Sequence, residues 1–171
     1  RHGDGTMHDV GLPGSARHFL RRREAYFHPT PDATEIAPGV WVTGFVPRVT
    51  PFEDTGGDFW LDRGCTQPDP IEDDMALWVE RSEGLWIFLG CAHAGTINTV
   101  KHIQSVSGRD DIYAIIGGTH LRNASDERLE KTARFLADLA PAILQPCHCS
   151  GEQIHDVLAD KGFDPSGGEA S

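Results

Sequence analysis

Three apolar runs in the second half of the chain each stop at a turn that carries a histidine, and no other feature restricts the possible folds as much. Leu85-Trp86-Ile87-Phe88-Leu89 leads into Gly90-Cys91-Ala92-His93-Ala94-Gly95. Ile112-Tyr113-Ala114-Ile115-Ile116 leads into Gly117-Gly118-Thr119-His120, and Ala142-Ile143-Leu144 into Gln145-Pro146-Cys147-His148-Cys149-Ser150-Gly151. Helical patterns separate them. Ile97, Val100, Ile103 and Val106 share one face over 96–106, and Leu129, Ala133, Leu136 and Leu139 form a stripe over 126–139 behind Ser125 as N-cap. A last helix is predicted over 151–161, with Ile154, Val157 and Leu158 buried and Ser150-Gly151-Glu152-Gln153 as its capping box. This alternation implies an α/β fold whose strands are parallel and joined by right-handed crossovers. Strands that are apolar without alternation fit a sheet covered on both faces.

The preceding part of the chain is less regular. Residues 75–80 (MALWVE) and 85–89 read as strands joined by a hairpin turn at Arg81-Ser82-Glu83-Gly84. A further strand is predicted over 40–46 after the turn signal Pro38-Gly39. Residues 47–70 are rich in Pro, Gly and Asp, and a loop of that length in a compact domain is usually a functional lid or a mobile segment. Residues 1–35 read as an irregular segment with a short helix near 16–25, residues 36–163 as the domain, and 164–171 as a tail. The first residue is Arg1 and not Met, so the chain is expected to be a processed product or a piece of something longer.

Composition removes several classes of function. With 26 Asp and Glu against 15 Lys and Arg, the chain lacks the clustered cations that nucleic acid needs. The run Arg21-Arg22-Arg23 reads as a solvated helix end. No apolar run approaches the ~20 residues of a membrane span. Cys65, Cys91, Cys147 and Cys149 are too few and too unevenly placed for a disulfide scaffold, which favours a reduced, cytoplasmic setting.

Open parallel sheets bind ligands beyond the carboxyl ends of their strands, which is where all three histidine turns fall. Small residues flank each histidine, so backbone can approach a ligand closely. Neutral imidazole is the commonest zinc ligand, and carboxylates complete catalytic sites. The carboxylate candidates are Glu53, Glu72, Asp73 and Asp74, although a solvated turn capping a strand is the simpler explanation of the last three. His120 is either a ligand or a group that orients substrate. The cysteines read as small buried thiols. Adjacent residues in Cys147-His148-Cys149 do not suit one tetrahedral ion as a C-x2-C pair does. A nucleophilic Cys91, with its pKa lowered by the helix N-terminus behind it, is the thiol-dependent alternative.

Six segments together resemble one family: TGFVPR at 43–48, Phe52-Glu53, DPIEDDMAL at 69–77, GCAHAGTIN at 90–98, IYAIIGGTHL at 112–121 and PCHCSG at 146–151. It is the metallo-β-lactamase superfamily, in the branch of dihydropterin ribofuranosyl-aminobenzene phosphate synthase-like proteins. The resemblance spans roughly 36–161 and implies the C-terminal half of an αββα sandwich. It also implies one or two metal ions, usually zinc though another divalent metal is compatible, with His93 and His148 at the metal. His120, Glu72 and Asp74 are then the catalytic candidates, acting on a small anionic substrate, phosphorylated or pterin-type. The family's H-x-H-x-D-H motif is not in this sequence. The resemblance therefore implies an incomplete site and an apolar sheet face that a missing N-terminal half, or a second copy of the chain, would cover. A half-domain that acts only with a partner chain is the corresponding alternative to a complete enzyme.

Overall fold

A computed structural model of the protein describes residues 8–23, 28 and 30–163. Its centre is one six-stranded sheet in the order β1-β2-β3-β4-β5-β6, so every strand pairs with its neighbour in sequence. The strands are β1 (Thr34–Ala37), β2 (Val40–Val42), β3 (Ala76–Arg81), β4 (Gly84–Leu89), β5 (Ile112–Gly118) and β6 (Ile143–Cys147). The helices among the described residues are α1 (Gly14–Arg21), α2 (Thr96–Ser107), α3 (Asp126–Leu139) and α4 (Gln153–Asp160). Connection length decides strand direction. β1 to β4 are joined without helices and pair antiparallel. β4, β5 and β6 are separated by α2 and α3 and pair parallel, because a parallel neighbour can be reached only through a crossover.

Several expectations shift in detail. The strand predicted over 40–46 ends at Val42, because Gly44 turns the chain at φ 62. Pro38-Gly39 is the turn of a hairpin, and its first arm, β1, is a mostly exposed edge strand without an apolar signature. The helix expected near 16–25 runs Gly14–Arg21 with no buried residue, and residues 24–27 lie outside the described residues, as does the 164–171 tail. The capping box at Ser150 does not form. Gly151 adopts φ 81, and α4 starts at Gln153 behind Glu152. The Ser150 hydroxyl instead accepts the Thr119 N–H at 3.0 Å and donates to the Cys147 carbonyl at 2.7 Å. It ties the turn after β6 to the turn after β5. The Ser125 cap does form, its hydroxyl accepting the Arg128 N–H at 3.2 Å.

Pairing register separates the two faces of the sheet. Trp41, Trp78, Ile87, Ile115 and Leu144 are successive partners across five strands. They meet Val100 and Ile103 of α2, Ala133 and Leu136 of α3, and Ile154 and Leu158 of α4 in the buried core. Trp41 and Trp78 stack at 5.5 Å between ring centroids. The opposite face carries the rows Val40–Val79–Trp86–Ala114–Ile143 and Val42–Leu77–Phe88–Ile116–Gln145, and none of these residues joins that core. Among the described residues, α2, α3 and α4 therefore cover that one face. The architecture is one sheet with one helical layer, half of an αββα sandwich.

Candidate metal centre

The sheet places the three histidine turns side by side at the carboxyl ends of β4, β5 and β6. Ala92, His120 and His148 have φ values of 53, 50 and 54, a left-handed conformation that non-glycine residues adopt at a cost and that concentrates at functional sites. Metal-ligating atoms gather there in two groups. Cys91, His93 and His120 form one, Cys91, His148 and Cys149 the other, with all ligand atoms of a group within 4.8 Å of one another. The structure thus brings His93 against His120, their ring centroids 4.1 Å apart, and groups His148 with Cys91 and Cys149. The left-handed turn at His148 lets its ring and the Cys149 thiol fall in one group, which the sequence argument against adjacent ligands did not allow for. Cys147 is exposed and belongs to neither group.

The loop between β2 and β3 fixes the imidazoles. His93 Nδ1 donates to the Thr55 carbonyl at 2.8 Å, and His120 Nε2 to the Gly56 carbonyl at 3.2 Å. A carbonyl can only accept, so each of those nitrogens carries the proton, and the lone pairs are left on His93 Nε2 and His120 Nδ1. His120 Nδ1 is buried and has no hydrogen-bond partner. Desolvation, then the charge of His93, lowers the His120 pKa and keeps the ring neutral. Phe59 packs edge-on against His93 at 5.1 Å. The same loop is anchored by Asp54, whose carboxylate meets Arg128 of α3 at 2.5 Å. Arg128 is only 1% exposed, and its Nε and Nη2 lack partners.

Of the carboxylate candidates, Glu53 is committed elsewhere. It is buried, and its two oxygens accept the N–H groups of Ile97 and Asn98 at 2.8 Å each, capping α2 from a distance. Burial pushes its pKa up against those two hydrogen bonds. Asp74 accepts the Ala94 N–H at 2.9 Å and so holds the turn that carries His93. Arg48 binds the same turn, donating to the His93 carbonyl at 2.6 Å and to the Pro70 carbonyl at 2.7 Å. Glu72 and Asp73 are exposed and belong to neither donor group. The expected lowering of the Cys91 pKa is reversed. Burial, with Cys149 adding to it, pushes the thiol up to about 11, because desolvation of the thiolate outweighs the helix terminus. A free thiolate nucleophile at neutral pH is therefore disfavoured.

A cleft of about 400 Å³ opens beside these groups, lined by His120, Arg122, Asn123, His148 and Cys149. Imidazole rings clustered with thiols, and the orphaned buried Nδ1 of His120, fit a bound metal ion. Sequence reasoning did not single out Arg48, Asp54, Thr55, Gly56, Arg122 or Arg128. The loop's length was the one signal, and it indicated a function without indicating which backbone carbonyls would meet the rings.

No protein-family model matches the chain. It is 31% identical over 134 residues to the 7,8-dihydropterin-6-methyl-4-(β-D-ribofuranosyl)-aminobenzene-5′-phosphate synthase of Methanocaldococcus jannaschii, covering 76% of this chain and 46% of that protein. The fold matches the crystal structure of a metal-dependent hydrolase of the β-lactamase superfamily with a TM-score of 0.66 and 28% identity, covering 79% of this chain and 52% of the other. The chain spans about half the length of these relatives. Sequence and fold agree with the six shared segments: the chain belongs to the metallo-β-lactamase superfamily, in the dihydropterin ribofuranosyl-aminobenzene phosphate synthase-like branch.

Proposed function

We propose that this chain carries part of the active site of a metal-dependent enzyme of hydrolase type, acting on a small anionic substrate. The observation that supports it best is the meeting of His93, His120 and His148 at one sheet edge, with backbone carbonyls setting two of their tautomers. In this reading His93 and His148 hold one or two ions, zinc being the first candidate for such ligands. When bound, the metal supplies Lewis acidity toward a phosphoryl or carbonyl oxygen and toward water.

The chain's own residues do the rest. His120 lines the cleft, where its ring is set to orient substrate. Arg122, exposed at the same cleft, supplies the positive charge that a phosphate or carboxylate group needs. Asp74 acts as a positioning residue through Ala94, while the geometry gives the exposed Glu72 no comparable role. The similarity to the Methanocaldococcus jannaschii synthase supports a phosphorylated or pterin-type substrate. Chelation should abolish turnover of a phosphorylated substrate and zinc should restore it, and elemental analysis should find one or two equivalents of metal. Turnover that survives chelator but is lost on thiol alkylation would overturn this reading.

The uncovered sheet face favours a further point. A face bearing Val79, Trp86 and Phe88 is not stable against water, so activity is proposed to require a second sheet. That sheet comes either from the remainder of a full-length protein or from a second copy.

A further inference from the structure

Cys91 has no part in the chemistry above, yet it is the residue common to both donor groups. Its thiol lies within 4.8 Å of ring nitrogens of His93 and His120 in one group, and of His148 and the Cys149 thiol in the other. Around a tetrahedral ion with metal–nitrogen bonds of about 2.0–2.1 Å and metal–sulfur bonds of about 2.3 Å, donor atoms sit roughly 3.3–3.8 Å apart. Each group therefore needs to contract by no more than about 1.5 Å, which side-chain rotation supplies.

Independent details point the same way. His120 Nδ1 is buried without a partner, beside a thiol and a second imidazole. Cys149 Sγ approaches the Cys91 carbonyl at 3.6 Å, which packs the second cysteine turn onto the first. The end of β5 leaves room for this contact. A Cβ at Gly118 would fall 2.7 Å from Cys149 Sγ and 3.2 Å from Cys91 Cα. Of the oxygen ligands that magnesium or calcium would need, both Glu53 oxygens are engaged on the α2 terminus and Asp74 Oδ2 holds the Ala94 N–H, whereas the donors that cluster are imidazole and thiol.

We propose that Cys91 is a metal ligand shared by the two donor groups, which makes the centre a mixed imidazole–thiolate site for a borderline or soft divalent ion. The proposal rests on the metal-dependent reading and specifies which ion class that reading admits. Binding exchanges the Cys91 S–H bond for a sulfur–metal bond, and the proton is released to solvent.

The test is titration of the reduced, metal-free protein with cobalt(II). A thiolate-to-cobalt charge-transfer band should grow in step with binding, accompanied by proton release. The band should persist in Cys149→Ser and vanish when Cys91→Ser is added, with affinity falling by at least about tenfold. A measurement on the unaltered protein guards against variants that fail to fold. Zinc, but not magnesium, should slow alkylation of Cys91 at least about tenfold, as mapped by peptide mass spectrometry. Cobalt that binds without a charge-transfer band, or a Cys91–Cys149 disulfide in protein purified under reducing conditions, would overturn the proposal and leave the metal-dependent enzyme standing. Failure of cobalt and zinc to bind at all would sink both.

Discussion

Gly56 sits at φ 77 beneath the His120 ring, where an added Cβ would fall 2.0 Å from His120 Cδ2. Two costs coincide there, a left-handed backbone and a ring that has to move. Gly56→Ala is expected to destabilise the protein by about 1–3 kcal/mol in urea unfolding and to weaken metal binding, since the Gly56 carbonyl fixes the His120 tautomer. His120 itself makes stability depend on pH. Its pKa is lowered from 6.5 in the fold, by burial and then by His93. A depressed histidine pKa contributes stability that is present above the unfolded value and is lost as pH falls through the folded one. The urea midpoint of the metal-free protein should therefore drop on acidification below pH 6.5, and His120→Gln should flatten that dependence. An equally steep profile in the variant would assign the effect to other groups.

At the scale of elements, α2 shows how far a cap can come from. Gly95 occupies the N-cap position without a side chain, and the first N–H groups of the helix turn to Glu53, 44 residues away from Ile97. The β2–β3 loop is thereby tied to α2 by Glu53, to α3 by the Asp54–Arg128 pair, and to the His93 and His120 turns by its carbonyls. Glu53→Ala leaves two buried N–H groups unpaired and is expected to cost about 1–3 kcal/mol. Because the loop is a strap over the site, its proteolysis at 54–59 should accelerate in the same variant while α3 and β6 stay protected, a pattern that limited digestion with mass spectrometry would reveal.

For the whole molecule, the decisive asymmetry is between the two faces of the sheet. The helix-covered face buries Trp78, Leu85, Ile87 and Ile115 to 1% exposure or less, whereas Val79, Trp86 and Phe88 remain only half-buried on the other. Covering such half-buried side chains contributes half of the roughly 1.5–3 kcal/mol of a full burial for each, a drive toward association. The chain should sediment above monomer mass at micromolar concentration. Val79→Lys with Phe88→Lys should return it to a monomer without changing metal stoichiometry. A monomeric parent that binds no apolar dye would show that this face needs no partner.

The sequence by itself determined the α/β order, the hairpin at 81–84, the span of α2 and α3, and the histidine turns at the strand ends. Each of these is written in local signals, such as periodicity, a cap or a glycine. It also carried the family, through six segments whose order survives in the fold. Tertiary structure alone decided which donors meet. His93 pairs with His120 because β4 and β5 are neighbours, and Cys91 belongs to both groups because the turn after β6 reaches across the end of β5 at Gly118 to bring Cys149 Sγ against the Cys91 carbonyl. The removal of Glu53 to a helix cap, the reversal of the Cys91 pKa and the loss of the Ser150 capping box share one cause. Burial and long-range hydrogen bonds compete with the local preference at each of these residues, and they outweigh it wherever chain segments distant in sequence converge.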